Sequence, residues 1–317
     1  MAKISAVMSV YNGAASLAAT LESILGQTES DFELILIDDA SSDASPAILS
    51  RYAARDARVR VLRNDENRGL TRSLILGCQA ARGEYIARHD VGDLSLPTRF
   101  AREAALLDAT REVVLVSCWT EFVGPELESL YEAKGTGRAL QPMHVLDPSS
   151  DPPMLDGPSH HGCVMFRRDA YQRAGGYRAE FYYGQDWDLW YRLAAIGKFQ
   201  MLPETLYRAR IVPESISVEA RDAQNELAAL SLAALHARAA SQPEAPILAK
   251  AANVDRVTRK QRRNRAEGFY FIGEVLRGNG DPRARRYLRS AIAASPLTLK
   301  AWLRWLQSIL PAKKRTH

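Results

Sequence analysis

Short apolar runs alternate with helical patterns over the first 120 or so residues of the chain. The runs are rich in β-branched residues, and between them apolar residues recur at helical spacing. The predicted strands are Ile4–Tyr11, Phe32–Asp39, Val59–Asn64, Tyr85–Asp90 and Val113–Thr120. The predicted helices are Ala14–Gly26 with Asn12 as its cap, Pro46–Ala54, Thr71–Ala81, and Pro97–Asp108 with proline at its first position. This alternation is typical of an α/β fold with a mostly parallel sheet flanked by helices.

The pattern changes twice beyond residue 122. Residues 123–163 are rich in Pro, Gly, Asp and Ser, which predicts a long connection over the ligand site. A strand at Val164–Phe166 and a helix beginning near Asp186 follow, and after about Ser217 the sequence is helical, with one helical hairpin over Gly268–Ala301. We therefore predict an α/β domain over 1–218, made of a nucleotide-binding half (1–122) and an acceptor half (123–218). A basic helical region, 219–317, follows it.

Polar residues follow three of the predicted strands, at the edge where open parallel sheets bind their ligands. Strand one ends in Ser9-Val10-Tyr11-Asn12, strand two in Asp38-Asp39, and strand four in Asp90-Val91-Gly92-Asp93. Carboxylates that converge repel one another unless a cation or hydrogen-bond donors lie between them. The clustering predicts a ligand site, although Ser42, Asp43 and Ser45 also suit turns or helix caps.

Composition limits the class of protein. The chain has 317 residues, of which 46% are hydrophobic and 25% charged, so it is long enough for a large globular core. Three widely separated cysteines without metal-ligand spacing fit a reduced, cytoplasmic setting. No apolar run is long enough to predict a membrane-spanning helix.

The charge is unevenly distributed. Residues 1–220 hold 23 basic and 30 acidic side chains, whereas residues 221–317 hold 19 and 7. The basic tail contains Trp302 and Trp305 and favours an anionic membrane surface, which would place the protein on the inner face of the plasma membrane. The alternative is a solvated helical face with a tryptophan pair in a core. No nucleic-acid-binding motif accompanies the charge, and we expect no nucleic-acid partner.

Taken in order, the polar motifs resemble those of the family 2 glycosyltransferases over about residues 3–215. The matching segments are Val7–Asn12, Ile37–Asp43, Asn67–Leu70, Ala87–Asp90, Ser95–Phe100 and Gln185–Trp190. The resemblance implies the GT-A fold and inverting transfer of a sugar from a nucleotide-sugar, most of all a UDP-sugar. It implies a saccharide or lipid-linked acceptor in the synthesis of a cell-surface polysaccharide or glycolipid.

The resemblance also implies roles for individual residues. Asp186 would be the catalytic base, and Asp90 with Asp93 would hold Mn²⁺ or Mg²⁺. The implied donor-binding residues are Ser9, Tyr11, Asn12, Asp38, Asp39, Arg72 and Asp90. On the acceptor side we place His160, His161, Gln185 and Trp187, with a hydrogen-bonded scaffold as the alternative role for the two histidines.

Two positions depart from the family pattern. Gly92 stands where the family has its main metal-binding aspartate, so either Asp93 substitutes, which we favour, or a carbonyl and water complete the site, or metal binding weakens. Gln185 stands where the family has a glutamate next to the catalytic base. Because a negative neighbour is missing, we expect the pKa of Asp186 to be lowered, which would keep its carboxylate ionised.

Other functions compete with this interpretation. Gly92 and Gln185 are also compatible with a catalytically inactive GT-A domain that acts as a binding or scaffold module. An NAD-dependent enzyme is set aside, because the turn after strand one lacks the G-x-G-x-x-G pattern. Ala301 stands where processive synthases have the glutamine of their Q-x-x-R-W element, which favours transfer of a single sugar.

Overall fold

The structure is a computed structural model that describes residues 2–134, 157–213, 221–255 and 261–309. These residues form two compact units. The first unit contains the described residues of 1–120, 133–209 and 225–254, and the second contains those of 121–132, 210–224 and 255–317. Most of the connection predicted over 123–163 lies outside the described residues.

The described chain contains nine strands and eleven α-helices. The strands are β1 (Ile4–Val10), β2 (Phe32–Asp38), β3 (Val59–Arg63), β4 (Tyr85–Arg88), β5 (Leu94–Ser95), β6 (Val113–Val123), β7 (Ser129–Ala133), β8 (Met165–Arg167) and β9 (Lys198–Arg210). The helices are α1 (Ala14–Leu25), α2 (Ser45–Arg55), α3 (Leu70–Ala80), α4 (Arg99–Ala109), α5 (Arg168–Arg173), α6 (Gln185–Ala194), α7 (Arg221–Ala239), α8 (Ala245–Ala252), α9 (Gln261–Gly278), α10 (Ala284–Ala294) and α11 (Leu299–Ile309).

The first four strands form the parallel part of one sheet. Their spatial order is β3-β2-β1-β4, and each neighbouring pair runs parallel, as the sequence pattern predicts. All residues of β1 and β2 are buried, because helices cover both faces of a sheet of this type. In this register Val10 pairs with Asp38, so the ends of β1 and β2 bring their following loops together.

The other half of the sheet is antiparallel. After β4 the order continues β8-β6-β9-β5, with β8 antiparallel to both β4 and β6. Strands β5, β7 and β9 were absent from the sequence-based prediction. Pro203 lies inside β9, and an internal proline argues against a strand when only local pattern is considered.

Two helix starts differ from the predictions. Asn12 does not cap α1; its Oδ1 instead accepts hydrogen bonds from the backbone N–H of Ser42 and Asp43. Side chains that follow β2 accept hydrogen bonds at the start of α1: Asp43 accepts from the N–H of Ala14, and Ser45 accepts from the N–H of Gly13. Helix α4 begins at Arg99 rather than at Pro97, whose carbonyl accepts from Thr28. At α1 tertiary contacts thus replace the local cap that the sequence suggested, and at α4 the predicted first residue, Pro97, lies before the helix.

Helices α7 and α8 belong to the first unit although they follow residue 218. Leu227 of α7 and Ala251 of α8 are buried in one cluster with Phe181. Glu244 forms ion pairs with Arg178 and with Arg238, the latter at 2.7 Å. A boundary between independently folding domains at residues 218 and 219 stays a prediction.

The second unit has its own helical core. Leu130 of β7, Ile272 and Leu276 of α9, and Ala284 and Tyr287 of α10 are buried together. Strand β7 pairs with β6, whose last residues belong to this unit. The predicted helical hairpin is confirmed in α9 and α10, and α11 follows it. None of the described helices combines the length and apolar character that a membrane span needs.

Gly77 of α3 offers a test of the packing between this helix and the sheet. A Cβ atom at Gly77 would lie 2.5 Å from Val7 Cγ1 and 2.6 Å from Ile37 Cδ1, both in fully buried side chains. We expect Gly77→Val to lower the free energy of unfolding by about 2 kcal/mol through overpacking. Ala54→Val on the exposed end of α2 is the control, at about 0.6 kcal/mol from helix propensity. Equal losses in urea unfolding would contradict the close approach of α3 to β1 and β2.

Candidate active site

A buried arginine organises the loop that follows β4. Arg88 is fully buried, and its Nη2 donates to Asp90 Oδ1 at 2.5 Å while its Nη1 donates to the carbonyl of His89. Burial by itself would raise the pKa of Asp90, but the charge and hydrogen bond of Arg88, together with the nearby His161 and His160, hold that pKa well below its usual range. Asp90 is therefore an ionised carboxylate with one oxygen held by Arg88.

A second buried arginine connects this loop to the turn before β8. The Nη2 of Arg99 donates to the carbonyls of Arg88 (2.9 Å) and Val164 (3.2 Å). Its charge is balanced by Glu103, whose carboxylate oxygens lie 3.2 and 3.3 Å from Arg99 Nε. The loop after β4 and the turn at residues 160–164 are thus fixed by a common donor.

Gly92 turns the chain so that Asp93 reaches the same place as Asp90. Gly92 has a φ of +101°, in the region that favours glycine, and its N–H donates to Thr20 Oγ1 at 3.0 Å. The Thr20 hydroxyl in turn donates to the Asp93 carbonyl at 2.9 Å. The carboxylate of Asp93 accepts from the Tyr207 hydroxyl at 2.8 Å.

His160 completes a cluster of three potential metal ligands. One ligand atom each from Asp90, Asp93 and His160 lies within 4.8 Å of the other two. The His160 ring stacks on Tyr207 with centroids 5.6 Å apart, and its Nδ1 accepts from the N–H of Gly162 at 3.0 Å. A side chain at Gly162 would overlap the Tyr207 hydroxyl, so glycine is needed for this packing.

The composition of this cluster fits a divalent cation. Two carboxylates suit Mg²⁺ or Mn²⁺, and the imidazole nitrogen favours Mn²⁺, because Mg²⁺ prefers oxygen ligands. Tyr207 holds Asp93, and Arg88 holds Asp90, so two of the three side chains are oriented by further hydrogen bonds. In this cluster it is Asp93, two residues before the β5 residue Ser95 and one after Gly92, that lies beside Asp90.

The two aspartates after β2 have different surroundings. Both Asp39 oxygens are occupied: Oδ1 accepts from Asn64 (2.7 Å) and from the N–H of Arg68, and Oδ2 accepts from the N–H of Gly69. Asp38 accepts from the N–H of Ser41 through Oδ1, while its buried Oδ2 has no hydrogen-bond partner and lies 3.4 Å from Arg63 Nε. One oxygen of Asp38 therefore makes an ion pair but no hydrogen bond, whereas Asp39 fixes the loop after β3.

The remaining residues predicted on the donor side lie around the ends of β1 and α3. Ser9 is buried near the end of β1, Tyr11 is exposed, and Asn12 links the loops after β1 and β2. Arg72 is exposed on the first turn of α3.

Asp186 lies in the first turn of α6, as predicted. The left-handed Gly184 precedes the helix, and Leu189, Trp190 and Leu193 are buried beneath it. Burial raises the pKa of Asp186 above its ordinary value, with a further increase from Asp90 and opposing contributions from the Trp187 N–H and His160. The expected lowering of this pKa was wrong, because the missing charge at Gln185 matters less than removal of the carboxylate from water.

The residues predicted on the acceptor side divide into two kinds. His160 faces Asp93, whereas His161 bonds the Tyr177 hydroxyl through Nε2 at 2.8 Å and packs edge-on against Trp190. Gln185 is buried, and Trp187 is exposed next to Asp186.

Three supporting residues were missed in the sequence: Arg88, Tyr207 and Thr20. An arginine inside the otherwise apolar strand β4 was the available signal, because a buried charge needs a nearby partner. Tyr207 and Thr20 are distant in sequence and gave no local signal.

The known proteins that this chain resembles in sequence are glycosyltransferases. The sequence profile of Glycosyl transferase family 2 matches residues 5–175. EpsE of Bacillus subtilis (strain 168), which carries a provisional glycosyltransferase name, is 33% identical over 220 residues, covering 66% of this chain and 73% of EpsE. The amylovoran biosynthesis glycosyltransferase AmsE of Erwinia amylovora is 29% identical over 211 residues, covering 65% of this chain and 75% of AmsE.

Two solved structures share the fold. S. aureus TarS 1-349 in complex with UDP has a TM-score of 0.56 at 16% identity, covering 96% of this chain and 88% of that chain. The mannosyltransferase PcManGT from Pyrobaculum calidifontis, in complex with GDP-Man and Mn²⁺, has a TM-score of 0.57 at 17% identity, covering 97% and 85%. They confirm the predicted α/β arrangement as a GT-A fold.

The ion pair between Arg88 and Asp90 can be tested by its effect on the free energy of unfolding. Asp90→Asn leaves the buried Arg88 charge without its carboxylate, and we expect a loss of about 3 kcal/mol in the free energy of unfolding at pH 7. Asp93→Asn keeps an oxygen for the Tyr207 hydroxyl and should cost about 1 kcal/mol.

The pH dependence gives a check on the cause. Because folding lowers the pKa of Asp90, its contribution is present at neutral pH and is lost as the pH falls below its unfolded value of about 4. The gap between wild type and Asp90→Asn in urea unfolding should therefore narrow in acid. A gap that is constant from pH 7 to pH 3 would rule out the ion pair as its cause.

Proposed function

Because the chain belongs to glycosyl transferase family 2 and is a glycosyltransferase, we propose that it inverts configuration while moving one sugar from a nucleotide-sugar to an acceptor. The observation that carries this proposal is that the site holds two kinds of carboxylate, which differ in their surroundings. Asp90 and Asp93 are clustered with His160 as cation ligands, and Asp186 has a raised pKa in the field of the same cluster. We propose a saccharide or lipid-linked acceptor in the synthesis of a cell-surface polysaccharide or glycolipid. The name of AmsE, a relative in amylovoran biosynthesis, supports that choice.

On the donor side, we propose that the loops after β1 and β2 bind the nucleoside. Asp38 Oδ2 faces the exposed Arg63 in an ion pair but makes no hydrogen bond, which supports a hydrogen bond from a base or ribose, with Ser9, Tyr11 and Asn12 at the end of the neighbouring strand β1. Asp39 acts by holding the loop on which Gly69 and α3 begin, so that Arg72 approaches the base or diphosphate. A UDP-sugar is the donor we favour, since TarS binds UDP and UDP-GlcNAc.

On the diphosphate side, Asp90, Asp93 and His160 would hold a divalent cation, with Mn²⁺ favoured over Mg²⁺. When bound, such a cation offsets the negative charge that grows on the leaving diphosphate. Arg88 donates to one oxygen of Asp90, and the Tyr207 hydroxyl donates to one oxygen of Asp93, so both carboxylates are oriented within the cluster. The presence of Mn²⁺ in PcManGT and in GalNAc-T7 supports a cation here.

Asp186 acts as the base in this proposal. It accepts the proton of an acceptor hydroxyl while that oxygen bonds to the anomeric carbon and the bond between that carbon and the diphosphate oxygen breaks. A raised pKa makes the carboxylate a stronger base than an exposed aspartate. The exposed Trp187 beside it offers an apolar surface on which a sugar ring can lie.

A scaffold function is the alternative, and Gly92 and Gln185 are the residues that suggest it. The position of Asp93 beside Asp90 supports an active site despite Gly92, since three potential ligands lie together without a side chain at residue 92. Gln185 is buried, and Asp186 keeps its carboxylate beside it in the first turn of α6. Both observations favour the active enzyme.

We expect Asp186→Asn to lower turnover about 10³-fold without weakening donor binding, because an amide cannot take the acceptor proton. Turnover is measured as nucleoside diphosphate release from UDP-, GDP- and dTDP-sugars with polyprenyl-linked saccharide acceptors. Asp169→Asn, at an exposed acid on α5, is the matched control and should retain wild-type turnover.

The outcomes separate the two functions. Wild-type turnover in Asp186→Asn would remove Asp186 from the reaction. Tight donor binding by the wild-type protein without turnover on any of these acceptors would favour the scaffold.

The cation site is tested without donor or acceptor. We expect the wild-type protein to bind Mn²⁺ more tightly than Mg²⁺, and His160→Ala to raise the Kd for Mn²⁺ at least about tenfold. Electron paramagnetic resonance of free Mn²⁺ measures both. His236→Ala, at an exposed histidine of α7, is the control. If His160→Ala and His236→Ala bind Mn²⁺ equally well, His160 is not a ligand.

A further inference from the structure

Helix α11 presents large apolar side chains to solvent. Leu299, Leu303 and Leu306 are 81%, 54% and 53% exposed, and Trp302 and Ile309 are also exposed. Leu297, just before the helix, is 92% exposed. A single exposed leucine is ordinary, but a contiguous group of this size on one short segment is a feature of binding surfaces.

These side chains lie on one face of the helix. Leu299, Trp302, Leu303 and Leu306 follow the i, i+3, i+4, i+7 spacing, and Ile309 continues it by three residues. The opposite side carries Ala301, which is fully buried within the second unit. The helix is therefore attached through its small residue and turns its large apolar residues outward. We call the outward set, Leu299, Trp302, Leu303, Leu306 and Ile309, the α11 face.

Contacts within the second unit hold α11 in this orientation. Lys300 lies 4.5 Å over the Tyr270 ring of α9, and Arg304 pairs with Glu274 of α9 at 3.3 Å. Arg285 of α10 donates to the carbonyl of Ser308 at 2.9 Å. The orientation of the α11 face thus has support from both neighbouring helices.

The sequence that contains α11 is basic. The segment 297–317 contains Lys300, Arg304, Lys313, Lys314 and Arg315 and no acidic residue, although the structure describes this segment only to residue 309. Residues 255–317 as a whole contain 16 basic and 4 acidic side chains. An exposed apolar helix face within a basic segment, with tryptophan among the apolar residues, is typical of helices that lie in the interface of an anionic membrane.

We propose that the α11 face docks on an anionic lipid bilayer, with the helix parallel to the membrane plane. A second copy of the chain fits less well, since pairing two α11 faces would bring two basic segments together. An acidic headgroup layer instead complements these charges while the leucine and tryptophan side chains leave water. The docking surface is independent of the sugar that is transferred and of the residues that transfer it.

Vesicle co-sedimentation tests the proposal on the full chain, without donor, acceptor or metal. The probes are vesicles of phosphatidylcholine alone and of phosphatidylcholine with phosphatidylglycerol. We expect binding to the anionic vesicles that falls with added salt, and Leu303→Glu to weaken it at least about tenfold. Gln307→Glu is the matched control, because it adds the same charge at an exposed position of α11 outside the α11 face. It should keep most of the binding.

Each other outcome overturns the proposal. Wild-type protein that binds neither vesicle, or binds both equally, excludes an anionic bilayer as the partner. Equal binding by Leu303→Glu and Gln307→Glu excludes the α11 face. A wild-type dimer that Leu303→Glu dissociates, without vesicle binding, assigns the face to self-association. Since Leu303 is largely exposed, both variants should keep the wild-type circular dichroism spectrum and melting temperature, and the glycosyl transfer assay is not involved.

Discussion

The ion pair between Arg88 and Asp90 is the interaction on which the site depends. A buried guanidinium is costly unless a carboxylate and carbonyl acceptors surround it, and Arg88 has Asp90 and the His89 carbonyl. Arg99 adds the second constraint by bonding the carbonyls of Arg88 and Val164. Two loops that are about 70 residues apart in sequence are therefore fixed together, and their side chains form the Asp90, Asp93 and His160 cluster.

The same arrangement divides the carboxylates by pKa. The Arg88 charge keeps the pKa of Asp90 well below its usual range, whereas burial raises the pKa of Asp186. A carboxylate that stays ionised suits a cation ligand, and one with a raised pKa suits proton transfer. Opposite pKa shifts in neighbouring acids suit a reaction in which one carboxylate must stay ionised and another must accept a proton. Under the proposed function, the departures at Gly92 and Gln185 leave this division in place.

The sequence predicted the parallel strands and the polar residues at their ends because both depend on local periodicity. It failed where a tertiary contact decides the structure. Asn12 follows a strand and precedes a helix, as a cap would, yet it bonds the loop after β2. The pKa of Asp186 depends on burial that no neighbour in the sequence reveals. The sequence showed that Gly92 lacks the side chain expected at that position. It could not show that the fold brings His160 close to Asp93. Strand β9, with its internal proline, needed its partner strands to be recognised.

The configuration of the product tests the central claim, that one base and one cation site act on opposite sides of a single displacement. Proton nuclear magnetic resonance of the product formed from an α-linked nucleotide-sugar reports the new linkage through its anomeric coupling constant. A single displacement assisted by Asp186 gives a β-linked product from the first turnover. An α-linked product would contradict the account, because it requires two displacements or a front-face reaction for which Asp186 is not the base.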